Sequence, residues 1–127
     1  MAKIVLDASA LLAFANNEPG AGQVEAVLGD AMISAVNYAE AITKLLLKTG
    51  RVHQALAELT DTELEVVQFD RALAEATGLL APLTRARGLS LGDRACLALA
   101  QRESAVALTA DSAWRTIAVG VDIRFIR

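Results

Sequence analysis

Two short runs constrain this chain most: Ile4-Val5-Leu6 near its start and Val106-Ala107-Leu108 near its end are apolar at every position. A strand with one wetted face alternates apolar and polar residues. A strand apolar throughout belongs inside a parallel sheet that is covered on both sides by helices. The rest of the chain supplies those helices. Strand-like stretches at 3–6, 31–34, 64–69, 105–109 and 121–126 alternate with helical patterns over 10–15, 23–28, 36–48, 52–59, 72–87, 93–103 and 112–117. Gly78 and Pro82 disturb the longest of these helices. Breaks are local, at 16–20, Gly29-Asp30, Gly50, Asp61-Thr62, Gly88 and Gly92, and no linker, repeat or low-complexity segment divides the chain. The pattern predicts an α/β three-layer sandwich with a mostly parallel central sheet flanked by helices, as one domain over residues 1–127.

Hydrophobic residues make up 54% of the 127 but aromatics only 4%, so the core has to be built from Ala, Val, Leu and Ile. A chain this long buries roughly two-thirds of its unfolded surface and needs no disulfide. It has one cysteine, Cys96, which favours a reducing compartment and a small core role for that residue. The start of the chain, with Ala13-Phe14-Ala15 after it, looks faintly like an export signal, but Asp7 interrupts its apolar run. No run approaches the roughly 18 apolar residues of a membrane span. The expectation is a cytoplasmic protein. The net charge of −3 disfavours a protein that coats nucleic acid, yet it suits an enzyme that holds cations on acidic residues and lets them meet phosphates.

The acidic residues fall in telling places. Asp7 directly follows the first strand and Asp111 follows the strand ending at Thr109, and ligands of open parallel sheets bind at the carboxyl ends of strands. Glu40 lies one turn into an otherwise apolar helix, with Asn37 and Lys44 on its face. Asp93 opens a helix whose next turn, Cys96 and Leu97, is apolar. Each also has a plainer explanation. Asp7, Asp93 and Asp111 suit helix N-caps, and Glu40 could pair with Lys44. Together, four carboxylates in one crevice repel one another until a divalent cation removes the cost, and an all-oxygen set favours Mg²⁺ or Mn²⁺ over zinc. The lone histidine, His53, stands in a polar setting and reads as a surface residue.

The segments Val5-Leu6-Asp7-Ala8-Ser9-Ala10-Leu11, Ile33-Ser34-Ala35-Val36-Asn37-Tyr38-Ala39-Glu40, Leu91-Gly92-Asp93-Arg94-Ala95-Cys96-Leu97-Ala98-Leu99-Ala100 and Leu108-Thr109-Ala110-Asp111 resemble, in order, the motifs of PIN domains. Within that family the VapC-type toxins of bacterial toxin–antitoxin systems are nearest. The resemblance runs from about residue 3 to residue 126. It implies a parallel sheet with flanking helices and a Mg²⁺- or Mn²⁺-dependent endoribonuclease, cleaving RNA by metal-activated water. It implies that Asp7, Glu40, Asp93 and Asp111 hold the metal and that Ser9 and Thr109 support them by hydrogen bonds, with Ser34 as the small hydroxyl residue of the second motif. Asp111 is set apart from the other three, as a ligand mainly for a second metal. The resemblance also implies a homodimer silenced by a cognate antitoxin protein. Trp114 stands where the family more often has Phe, and core packing explains it better than stacking on RNA.

An acidic chain still has to hold an RNA backbone. Arg85, Arg87 and Arg94 around the third motif, and Lys44, Lys48 and Arg51 near the end of the Glu40 helix, are candidates for a basic rim, with a solvated charged face as the alternative for each. Two other function classes compete. Asp7-Ala8-Ser9 after a strand also fits an aspartate-based phosphotransfer enzyme, although the second Asp such enzymes place two residues on is here Ser9. A non-catalytic module binding RNA or protein would usually have lost some of its carboxylates, and all four are present.

Overall fold

The structure, a computed structural model, describes residues 3–127; Met1 and Ala2, where the leader-like stretch begins, lie outside the described residues. The order is β1 (Ile4–Leu6), α1 (Ala8–Ala15), α2 (Ala21–Val27), β2 (Ala31–Ser34), α3 (Ala35–Thr49), α4 (Val52–Thr60), β3 (Glu65–Val67), α5 (Arg71–Leu79), α6 (Ala81–Thr84), α7 (Leu91–Glu103), β4 (Val106–Thr109) and β5 (Ile123–Phe125), with 3₁₀ turns at Leu28–Asp30, Arg85–Arg87 and Ser112–Thr116. The sheet runs β3-β2-β1-β4-β5, and every pairing among the described residues is parallel.

Alternate side chains of each strand feed two cores. Ile4, Leu6, Ile33 and Leu108 face α1, α2 and α3, whereas Val5, Met32 and Ala107 face α5, α7 and Trp114. This two-sided covering is why β1 and β4 are apolar at every position. The cores hold mainly Ala, Leu, Val and Ile, as the low aromatic content requires, and both Cys96 and Trp114 are buried in the second one.

Several boundaries shift for local reasons. Helix α1 starts at Ala8 because Asp7 caps it, and α7 starts at Leu91 because Ser90 caps it. The expected helix over 72–87 breaks into α5, α6 and a 3₁₀ turn, with Pro82 in the first turn of α6. Proline has no N–H for the preceding turn, which makes it a good first-turn residue and a poor interior one. The stretch 64–69 pairs only over Glu65–Val67, at the sheet edge, where Glu65 and Val66 are exposed. A short edge strand bearing a charge resists pairing with other chains.

Candidate active site

The strand order reverses between β1 and β4: from β1 the chain winds outward to β2 and β3, and from β4 outward to β5. The carboxyl ends of these two central strands therefore flank a crevice of the kind in which parallel sheets bind ligands. Asp7 directly follows one strand and Thr109 ends the other. Asp7 is only 3% exposed. Its Oδ1 accepts the Ala10 N–H (2.9 Å) and the Ser9 hydroxyl (2.7 Å), and its Oδ2 accepts the Thr109 hydroxyl (2.5 Å).

The hydroxyls have one proton each, which orients the network. Thr109 gives its proton to Asp7 and uses Oγ1 to accept the Asp111 N–H (3.0 Å). Ser9 gives its proton to Asp7 and accepts the Ala110 N–H (2.9 Å). Ser9 and Thr109 thus bind Asp7 to the β4 end and fix its carboxylate plane. Burial pushes the Asp7 carboxyl up from 3.8 to about 6; the hydrogen bonds from Thr109, Ala10 and Ser9 act in the opposite direction, and the nearby Asp93 adds a small further rise. Buried charge without a full complement of positive partners behaves in this way.

Ser34 caps α3 by accepting the Val36 N–H, and that helix brings Glu40 to the crevice. Glu40 is half-buried, and its Oε1 accepts from Asn37 Nδ2 at 3.2 Å. Asn37, not Lys44, is thus its hydrogen-bonding partner. Burial raises the Glu40 pKa, Lys44 lowers it through its field, and Asp93 raises it again. The Glu40 carboxylate lies against Gly92, where a Cβ would occupy the same space.

Asp93 is the third residue of α7, not its cap. It forms a capping box with Ser90: the Asp93 N–H donates to Ser90 Oγ (3.2 Å), and the Ser90 N–H donates to Asp93 Oδ2 (3.0 Å). Asp93 acts electrostatically on both Asp7 and Glu40, so these three carboxylates share one field. Cys96 lies beneath them, fully buried, its thiol pushed well up first by burial and then by all three carboxylates.

Asp111 stands apart. It caps the 3₁₀ turn Ser112–Thr116, with Oδ1 accepting the Ala113 N–H at 2.9 Å, and it joins the site through its backbone N–H to Thr109. The plainer explanation therefore holds structurally for Asp7 and Asp111, which are both caps, alongside whatever else they do.

The donor set suits a hard divalent cation by its chemistry: all carboxylate oxygen, with Asp7 buried and short of positive charge. Among the described residues no three His, Cys, Asp or Glu side chains converge tightly enough to form a ready cage. Asp7 has both oxygens on intramolecular donors, and Asp93 has Oδ2 on the Ser90 N–H.

Of the basic candidates, Arg94 is committed internally, donating to the Thr77 carbonyl at 3.1 Å and tying α7 to α5. Arg85 and Arg87 are exposed on the 3₁₀ turn leading towards Ser90, and Lys44 is exposed one turn beyond Glu40. Lys48 lies 3.7 Å from Glu18, and Arg51 and His53 are exposed. Trp114 is 1% exposed, which leaves it no face for RNA. Along the sequence Gly92 stands out only as a break and Asn37 only as a neighbour of Glu40; the i, i+3 spacing of Asn37 and Glu40 is the one signal of their contact.

A family model described as PIN domain matches residues 4–120. No curated protein matches the chain. Among solved structures, a DNA-bound VapBC complex from Salmonella typhimurium superposes with TM-score 0.75 at 20% identity, covering 100% of both chains. The Mycobacterium tuberculosis toxin VapC20, described as cleaving the sarcin-ricin loop, gives 0.74 at 20% identity over 94% of this chain and 98% of that one. FitAcB from Neisseria gonorrhoeae gives 0.69 at 21% identity over 97% of each. At such identities the likeness establishes the fold.

Proposed function

The chain belongs to the PIN-domain family, and from that premise we propose that it is a Mg²⁺- or Mn²⁺-dependent endoribonuclease, the toxin of a toxin–antitoxin pair. One observation carries the reading: a buried carboxylate, Asp7, sits at the strand-order reversal with its pKa pushed up to about 6 and with Asp93 and Glu40 in the same field. Such an arrangement is costly to keep unless a cation binds there. The toxin named for one similar structure and the toxin–antitoxin complexes named for others support the same assignment.

Asp7, Glu40 and Asp93 would hold the ion, with Asp111 as a fourth, outer carboxylate. A divalent ion in such a site supplies a water of lowered pKa and neutralises charge gathering on the phosphate. The chain's own residues do the rest. Thr109 and Ser9 keep Asp7 ionisable and aimed, since each spends its proton on that carboxylate. Ser90 holds Asp93 until a stronger partner takes its oxygen. Arg85, Arg87 and Lys44 lie exposed beside the crevice elements, where they can meet RNA phosphates.

The phosphotransfer alternative asks for a second Asp two residues after Asp7, and that place holds Ser9, whose hydroxyl donates to Asp7 itself. A purely binding module gives no reason to confine three mutually repelling carboxylates. The antitoxin, a second copy of the chain, a cytoplasmic location and one PIN-like unit over residues 1–127 belong to the same proposal. None of the helices among the described residues is long and apolar enough to cross a membrane.

The test is cleavage of total RNA with mapped ends. Wild-type protein with Mn²⁺ or Mg²⁺ should cut at defined sites, chelator should abolish cutting, and Asp93→Ala should be inert. Cleavage undiminished by chelator, or by Asp93→Ala, would overturn the assignment.

A further inference from the structure

We propose that Asn37 and Gly92 are positioning residues that together seat the Glu40 carboxylate on α7 beside Asp93. This rests on the reading of Glu40 as one of the cation-holding carboxylates.

Asn37 is 1% exposed in the first turn of α3. Its Nδ2 carries two protons, and both are used: one goes to the Gly92 carbonyl at 2.9 Å, the other to Glu40 Oε1 at 3.2 Å. One nitrogen therefore ties Glu40 to the helix that carries Asp93. The Gly92 side completes the seat. That residue is buried, and a Cβ added to it would fall on the Glu40 carboxylate. The carboxylate rests on bare Cα because no side chain projects there.

The two bonds of Asn37 Nδ2 do more than join two helices. Asn37 Oδ1 is buried with no hydrogen-bond partner among the described residues, an unfavourable state for a polar atom. A single hydroxyl donor would serve a helix–helix tie to the Gly92 carbonyl without burying that extra oxygen. The second amide proton is what Glu40 uses. Without it, a half-buried glutamate with several free torsions has Lys44 one turn away and solvent beyond as alternatives.

Gly92 offers a variant that separates positioning from folding. It is the second residue of α7 and has no positive φ, so alanine suits its backbone and improves the helix. What the new methyl meets is the far end of a flexible side chain, which can swing away. Gly92→Ala should therefore keep the fold and move Glu40.

The experiment uses the whole chain and Mn²⁺ as the probe. Mn²⁺ affinity is measured for wild type, Asn37→Leu, Asn37→Ser and Gly92→Ala, and for each change repeated on Glu40→Gln. Melting in chelator monitors the fold, and the Glu40 side-chain carboxyl ¹³C resonance in chelator monitors the seat without metal. Asn37→Leu and Gly92→Ala should each weaken Mn²⁺ binding about 10- to 100-fold, the range for residues that orient ligands. They should add nothing on the Glu40→Gln background, and both should move the Glu40 resonance towards that of a solvated glutamate. Gly92→Ala should melt no lower than wild type. A Glu40 resonance unmoved in the folded Gly92→Ala and Asn37→Ser proteins overturns the proposal. So does an equal loss of affinity when Glu40 is already Gln. If wild type binds no Mn²⁺, the nuclease reading fails, and the resonance alone still decides the positioning.

Discussion

Removing the charge of Asp7 should stabilise the metal-free protein at neutral pH, although Asp7 is the central residue of the site. In the folded chain its carboxyl keeps a proton up to about pH 6, whereas the unfolded chain releases it near 3.8. Between those values the native state binds more protons than the unfolded state, so stability falls as pH rises through that window and stays low above it. The gap between 3.8 and about 6, at ~1.36 kcal/mol per pH unit, makes ionised Asp7 cost about 3 kcal/mol. In the Asp7→Asn variant the side-chain amide would carry no charge and would cap α1 as well as the carboxylate does. It would also keep one oxygen for the Ala10 N–H and the Ser9 hydroxyl. The amide would turn an NH₂ towards Thr109, whose hydroxyl would have to redirect its proton, at a cost of about 1 kcal/mol. The net expectation is a variant about 2 kcal/mol more stable than wild type at about pH 8 in chelator. The advantage should vanish by about pH 4, where Asp7 is protonated in folded wild type and close to half protonated in the unfolded chain. Urea melts across that range read the difference directly. Saturating Mn²⁺ should then reverse the order, since an ion at about 100 times its Kd adds about 2.7 kcal/mol to wild type and little to the variant. A variant less stable than wild type at about pH 8 in chelator would refute the view that desolvation dominates at Asp7.

Three further outcomes follow from the same contacts. Trp114→Ala should lower stability by about 3–5 kcal/mol in denaturant melts, with RNA affinity of any surviving fold unchanged, because the indole is buried in the second core. Ser90→Ala removes the hydroxyl that accepts the Asp93 N–H and should cost about 1 kcal/mol in urea melts, while the Ser90 N–H keeps its bond to the Asp93 carboxylate and Mn²⁺ affinity stays unchanged. Arg85→Ala with Arg87→Ala should weaken RNA binding and shallow its salt dependence by a slope of about 1–2, while leaving the melting curve in place, since both side chains are exposed and form no ion pair among the described residues.

Much of the frame was legible along the chain because its signals are local. Ile4-Val5-Leu6 and Val106-Ala107-Leu108 are apolar on both faces, a pattern that fits a covered parallel strand. The strand–helix alternation set the layer order of elements, and Asp7 and Asp111 stood out by following strands. Boundaries moved where a single side chain decided them: Asp7 and Ser90 as caps, and Pro82 as the residue that divides the helix expected over 72–87.

The four carboxylates show where sequence stops. Chain order and residue type were enough to single out Asp7, Glu40, Asp93 and Asp111 as one candidate set. Their differences needed the fold, because burial and field depend on distances between segments 55 to 102 residues apart. Only the pairing of β1 with β4 puts the Thr109 hydroxyl on Asp7, and only the packing of α3 on α7 sets Glu40 against Gly92. That packing gathers Asp7, Glu40 and Asp93 into one field and leaves Asp111 on its own 3₁₀ cap. Periodicity along a chain records which face of each element is dry; the electrostatics of a crevice arise from which elements meet there, and no local pattern encodes that meeting.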